Sequence, residues 1–98
     1  MSKSLYEVQR EVDKWIGNNG GYWDVLGRIL SIIEELGELA KMLNYFYGAK
    51  KIKKTYTKNE IEEEIGDLFF NIVCLANTNN VDLEKIFNNT ILKYNSRS

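Results

Sequence analysis

The 98-residue chain carries 13 basic and 14 acidic side chains, for a formal net charge of −1. With a pI near 5.5, it has no overall positive field to draw in a nucleic-acid polymer. Histidine is absent and Cys74 stands alone, which excludes imidazole bases, Ser/His and Cys/His nucleophile pairs, disulfides within the chain and cysteine-rich zinc sites.

Carboxylates, lysines, arginines and hydroxyls remain for chemistry. Carboxylates without imidazole or thiolate suit a hard cation, Mg²⁺ with Mn²⁺ as a substitute. A chain this short reads as one domain over residues 1–98, and such a domain buries only roughly 60 to 68% of the surface its unfolded chain exposes, so association with a second copy is expected. The opening MSKSLYEVQREVDKW is charged throughout and lacks the apolar core of a signal peptide. No apolar run approaches the roughly 20 residues of a membrane span. A cytoplasmic protein without a membrane partner is expected.

In chain order the pattern predicts four helices. The first begins at Ser4, spaced with Glu7 as a capping box, and ends near Asn18, Asn19, Gly20 and Gly21. Its apolar face is Val8, Val12, Trp15 and Ile16. The second follows Asp24 as N-cap and runs to about Tyr47, where Gly48 is expected to supply a left-handed cap. Val25, Ile29, Ile32, Leu36, Leu39, Leu43 and Phe46 recur at alternating spacings of four and three, a seam for helix-on-helix packing. A lysine-rich loop follows, from Ala49 to Tyr56. Thr57 and Glu60 form a second capping-box pattern that opens the third helix, to about Asn77, with Ile61, Ile65, Leu68, Ile72 and Leu75 as its seam. Phe69, Phe70, Val73, Cys74 and Ala76 make its second half apolar nearly all round, which points to burial on several sides and to a dimer interface. Asp82 caps the fourth helix, with Leu83, Ile86, Phe87, Ile91 and Leu92 turned inward.

Beside each apolar seam lies a polar one of the same spacing: Arg28, Ser31, Glu35, Glu38 and Met42 on the second helix, and Glu60, Glu64, Asp67, Asn71 and Cys74 on the third. Residues three or four apart share a helix face, so Glu35 with Glu38 and Glu64 with Asp67 each point one way. If the apolar seams pack together, both pairs face one gap. Four converging carboxylates repel and raise one another's pKa unless a cation neutralises them. Mg²⁺ resolves that conflict, takes oxygen ligands, and keeps positions open for substrate phosphates. The competing reading is a solvated acidic helix face, the usual fate of runs such as Glu62, Glu63, Glu64.

The string EELGEL from Glu34 to Leu39, followed by EEEIGDLFF from Glu62 to Phe70, resembles the EExxE and ExxD signature of the MazG family of nucleotide pyrophosphohydrolases. GGYW at Gly20–Trp23, VCLAN at Val73–Asn77, VDLE at Val81–Glu84 and KYNSR at Lys93–Arg97 extend the similarity over nearly the whole chain. It is similar to the short, single-domain members. The resemblance implies an all-α, four-helix fold, assembly as a homodimer or dimer of dimers, and Mg²⁺-dependent cleavage of a nucleoside triphosphate to monophosphate and pyrophosphate. It also implies metal ligation by Glu35, Glu38, Glu64 and Asp67. Glu35 and Glu38 would double as catalytic carboxylates, with Glu34 supporting the ligands or orienting the water.

Basic groups should meet the substrate's charge: Lys53 and Lys54 of the loop that also carries Lys50 and Lys51, and Lys93 and Arg97 near the end of the sequence. For the loop lysines the alternative is solubility. Trp23, after Tyr22, either stacks on a nucleobase or anchors its loop to the core. Asn71 and Asn77 either contact base or sugar, or cap and bridge within the dimer. Two features depart from the family pattern. Ser31 stands where related short members commonly carry a basic residue, so a phosphate contact is missing or supplied elsewhere. The family's C-terminal segment usually continues past Arg97 with charged residues and a tryptophan, whereas this sequence ends at Ser98. Both favour the alternative, a non-catalytic helical dimer that binds metal or nucleotide without turnover. A di-iron carboxylate bundle is set aside, since its ExxH pairs need histidine.

Overall fold

Four short polar side chains set where the helices begin. In the computed structural model, which describes residues 2–48 and 56–97, Ser4 Oγ accepts the Glu7 amide at 3.0 Å while the Glu7 carboxylate accepts the Ser4 amide at 3.0 Å. This capping box opens α1, Leu5–Asn18. Asp24 Oδ1 accepts the Gly27 amide at 2.6 Å and opens α2, Val25–Tyr47. The Thr57–Glu60 capping box opens α3, Lys58–Thr78. Asp82 Oδ1 accepts the Glu84 amide at 3.0 Å ahead of α4, Leu83–Arg97. Each cap satisfies amides that have no partner inside the helix. The expected helices form at the expected places, and the fold is all-α. Among the described residues no helix is long and apolar enough to cross a membrane.

The chain reverses after α1 through Gly20 and Gly21 at φ 99° and 86°, where a side chain would be strained. After α3 it turns through Asn80 at φ 55°, a conformation asparagine tolerates better than most residues. Gly48 departs from expectation. Its φ is −79°, so the chain leaves α2 extended rather than through a left-handed cap. Its amide still donates to the Asn44 carbonyl at 2.8 Å, and a Cβ there would fall 2.1 Å from that same oxygen. Close approach, not handedness, explains the glycine.

α3 is the central element, lying against α2 along one side and against α1 along another, while α4 rests on α1. The apolar core sits where α1 crosses the second half of α3. There Val12 and Ile16 meet Val73 and Cys74, the latter two wholly buried, with Val8, Tyr22, Phe70 and Leu83 around them. A polar network closes the same corner. Gln9 Nε2 donates to Asn77 Oδ1 at 2.9 Å and to the Val81 carbonyl at 2.8 Å, and Gln9 Oε1 accepts the Leu83 amide at 2.9 Å. Asn77 Nδ2 reaches the Tyr22 hydroxyl at 2.9 Å, which in turn donates to Asp13 at 2.7 Å. Burial and the bond to Asp13 push the Tyr22 phenol up to about 12.

Two expectations about packing are corrected. The apolar seams of α2 and α3 are covered only in part within the protomer: Ile61 is buried and Ile32, Leu39, Leu43, Leu68 and Leu75 are half-buried, whereas Val25, Ile29, Leu36 and Phe46 on α2, and Ile65 and Ile72 on α3, are 40–53% exposed. The polar seams lie between the helices instead, with Arg28 bonded to Asn71 and Tyr45 stacked on Tyr56 at 5.6 Å. Both helices carry further apolar residues, Leu26, Leu30 and Ile33 among them, so one partner helix cannot cover all of them. α4 also differs. Ile86, Phe87, Ile91 and Leu92, expected to turn inward, are 42–66% exposed, while the first turn of α4 is tied to α1 through Leu83 and Glu84.

Candidate metal and nucleotide site

Helical spacing sets two carboxylates on α3, Glu64 and Asp67, three residues apart and toward Glu35 of α2. An oxygen from each of the three lies within 4.8 Å of the others. Glu64 is the inner member, 8% exposed, and its Oε1 is buried with no hydrogen-bond partner among the described residues. Burial first, then the hydrogen bond and negative charge of Glu35, then the charges of Asp67 and Glu38, push the Glu64 carboxyl up to about 7. A buried oxygen without a donor, facing two further carboxylates, is unfavourable unless a proton or a cation enters the group. The donor set is all oxygen, which fits a hard divalent ion.

Glu38 stands at the rim. It is exposed and outside the close triad, but near enough for its charge to act on Glu64 and on Lys41, which is held above the usual lysine range chiefly by Tyr56 and then by Glu38. Glu34 is exposed and does not line the cavity described next.

Beside the triad a cavity of about 350 Å³ opens between α1, the Gly20–Trp23 turn, α2 and α3. Glu35 and Asp67 line its acidic end, and Trp15, Trp23 and Phe70 give it aromatic walls. Trp15 meets Phe70 edge to face at 5.7 Å. Trp23, 58% exposed, lies under the Arg28 guanidinium at 4.6 Å. Arg28 is only 5% exposed and donates to Asn71 Oδ1 at 2.8 Å. Asn71 Nδ2 donates to the Asp67 carbonyl at 2.9 Å. The positive charge of Arg28 opposes the burial that pushes the Cys74 thiol up.

Of the residues singled out from sequence, Glu35, Glu64, Asp67, Asn71 and Trp23 come together here. Lys93 and Arg97 do not line the cavity; they flank the Tyr94 ring at 5.3 and 5.8 Å. Lys53 and Lys54, with Lys50 and Lys51, lie outside the described residues. Two cavity residues carried no functional reading. Trp15 reads as core, and Arg28 as one polar member of a seam, although its place two turns before Glu35 was a usable signal.

An all-helical domain with an acidic triad at the mouth of an aromatic-walled cavity defines a class that the comparisons identify. The sequence model of the MazG nucleotide pyrophosphohydrolase domain matches residues 24–98, and the chain belongs to that family. It is 42% identical over 96 residues to YpjD of Bacillus subtilis, spanning 97% of this chain and 86% of that protein. The crystal structure of YpjD superposes with a TM-score of 0.87 at 41% identity, covering 97% of this chain and 98% of that one. A Bacillus-conserved MazG protein, described as a nucleotide pyrophosphohydrolase, gives a TM-score of 0.83 at 38% identity, over 99% and 95% of the two chains. The protein is an enzyme of this hydrolase family.

Proposed function

We propose that the chain cleaves nucleoside triphosphates, standard or modified, to the monophosphate and pyrophosphate, with Mg²⁺ or Mn²⁺ held by Glu35, Glu64 and Asp67 and by Glu38 from the rim. The observation that carries this reading is the buried, partnerless Glu64 oxygen facing two further carboxylates. Bound there, the ion supplies neutralisation of phosphate charge and acidification of a water. Glu35 and Glu38 would orient the attacking water, one of the two carboxylates taking its proton as its oxygen bonds to the α-phosphorus. The bond from that phosphorus to the bridging oxygen breaks, and the electron pair leaves with pyrophosphate. Glu34, one residue from Glu35, adds negative charge that favours a cation held by the neighbouring ligands. The aromatic walls, Trp23 among them, receive the base.

Assembly with a second copy belongs to the same reading. The radius of gyration is 16.2 Å, against about 13 Å for a compact domain of this length, and the apolar faces of α2 and α3 point outward. A homodimer, alone or paired into a dimer of dimers, covers them. Lys93 and Arg97 would reach a cavity only from another subunit. Sedimentation should give a dimer or tetramer, and Ile72→Asp should shift it toward monomer; a monomeric parent protein would refute this part.

The activity is tested by pyrophosphate release across ribo-, deoxyribo- and oxidised nucleoside triphosphates with Mg²⁺ and with chelator. Release should occur for at least one substrate, stop with chelator, and be abolished in Glu38→Ala. No pyrophosphate from any of them, with nucleotide still bound, would leave a binding protein in place of an enzyme of this substrate class.

A further inference from the structure

Arg28 is a buried charge in an unusual situation. Its side chain leaves α2 two turns before Glu35 and is 5% exposed, yet among the described residues no carboxylate comes within ion-pair distance of it. The ion pairs there are Lys3 with Glu11 and Lys58 with Glu62. Among the described residues its one acceptor is a neutral amide oxygen, Asn71 Oδ1 at 2.8 Å. A guanidinium has several N–H donors in a planar fork and stays charged at any accessible pH. Buried charges are normally paired, because an unpaired one is strongly unfavourable. What remains of the Arg28 surface opens onto the cavity that Glu35 and Asp67 also line.

The group is also held in place. Trp23 packs against its face at 4.6 Å. Asn71 is itself fixed, its Nδ2 bonded to the Asp67 carbonyl at 2.9 Å, so its oxygen is the end presented to Arg28. A cation immobilised in this way, with spare donors facing a cavity, is pre-organised for an anion that enters from outside.

We propose that Arg28 grips a phosphate of the substrate, and that Asn71 is a positioning residue acting through it. This rests on the nucleotide reading above, and it assigns to one residue of α2 the phosphate contact that Ser31 cannot make. Ser31 lines the same cavity one turn nearer Glu35, so an arginine there, on the same helix face as Arg28, would reach the same space.

The experiment titrates the full chain with inorganic triphosphate by calorimetry in Mg²⁺, alongside Mg²⁺ alone. Arg28→Met should weaken triphosphate binding about 10- to 100-fold, the range for a charge-assisted contact, with Mg²⁺ affinity undiminished and helicity retained. Arg28→Met combined with Ser31→Arg should recover most of the loss. Arg28→Lys, which keeps charge but not the fork, should fall between and serves if the methionine variant does not fold. Equal triphosphate affinity in the parent protein and a folded Arg28 variant overturns the proposal and leaves the nucleotide reading standing. A parent protein that binds neither triphosphate nor any nucleotide overturns both.

Discussion

Toward its N-terminus α3 buries Glu64 against Glu35, with an oxygen left unpartnered; about two and a half turns further on it buries Val73 and Cys74 against Val12 and Ile16, fully enclosed. The second region is a hydrophobic core whose removal from water favours folding. The first is polar, electrostatically strained in the absence of a cation, and lies between two helices whose apolar residues partly face outward. One helix therefore divides its work: its C-terminal half holds the protomer together, while its N-terminal half keeps carboxylates in a place that folding alone would not select. Stability and function should respond separately to changes at the two ends.

The largest separation is expected at Asp67. Asp67→Asn keeps the shape and removes a charge from the triad. Changes around metal ligands already reduce affinity or activity roughly 10- to 100-fold, so loss of a ligand should lower Mg²⁺-dependent pyrophosphate release by at least about 100-fold, with thermal stability retained. An Asp67→Asn protein with undiminished Mg²⁺ affinity would erase the distinction. Val73→Ala should do the reverse: chemical denaturation should show a loss of about 2 kcal/mol from the emptied volume, with Mg²⁺ binding by the folded protein unchanged.

The smallest effect sharpens the comparison through pH. In the folded protein the Glu64 carboxyl is raised from 4.5 to about 7, so the native state holds that proton more tightly than the unfolded chain does. The stability this supplies is fully present below pH 4.5 and is lost as pH rises through 7. With chelator present, the melting temperature should therefore fall by a few degrees over that interval. Glu64→Gln should flatten the fall, and Mg²⁺ should offset it in the parent protein. A chelated parent protein and Glu64→Gln with the same pH profile would remove the electrostatic account of this region.

The helices were legible because their ends carry chemistry that acts locally. Ser4 with Glu7, Thr57 with Glu60, Asp24 and Asp82 are spaced to bond amides within one turn, and nothing distant competes with them. The carboxylates were legible for a similar reason, since spacing fixes which residues share a face. Which face meets which neighbour was not. α2 carries apolar residues on more than one stripe, so its pattern permits either seam to turn inward, and the choice depends on packing across the chain. Arg28 read only as one polar member of the α2 seam; its burial and, among the described residues, the lack of a carboxylate at ion-pair distance single it out. Gly48 was placed at the correct helix end with the wrong backbone conformation, since a glycine there serves either handedness or close approach.

The hydrogen bonds that link Gln9 with Asn77, Val81 and Leu83 join residues 68 to 74 positions apart, and the apolar partners of α1 on α3, Val73 and Cys74, also lie far along the chain from Val12 and Ile16. During synthesis α1 therefore emerges long before anything it can pack on. At about 5 to 20 residues per second, the interval between Val12 and Val73 is on the order of 3 to 12 s. Over that interval the capping box can hold the first turn of α1, but its apolar face has no docking site, whereas the α2–α3 pair forms between neighbours in sequence. Of these four helices α1 is made first, cannot settle until the second half of α3 has followed, and must settle before α4 can rest on it, which makes it dependent on being shielded while α2 and α3 are completed.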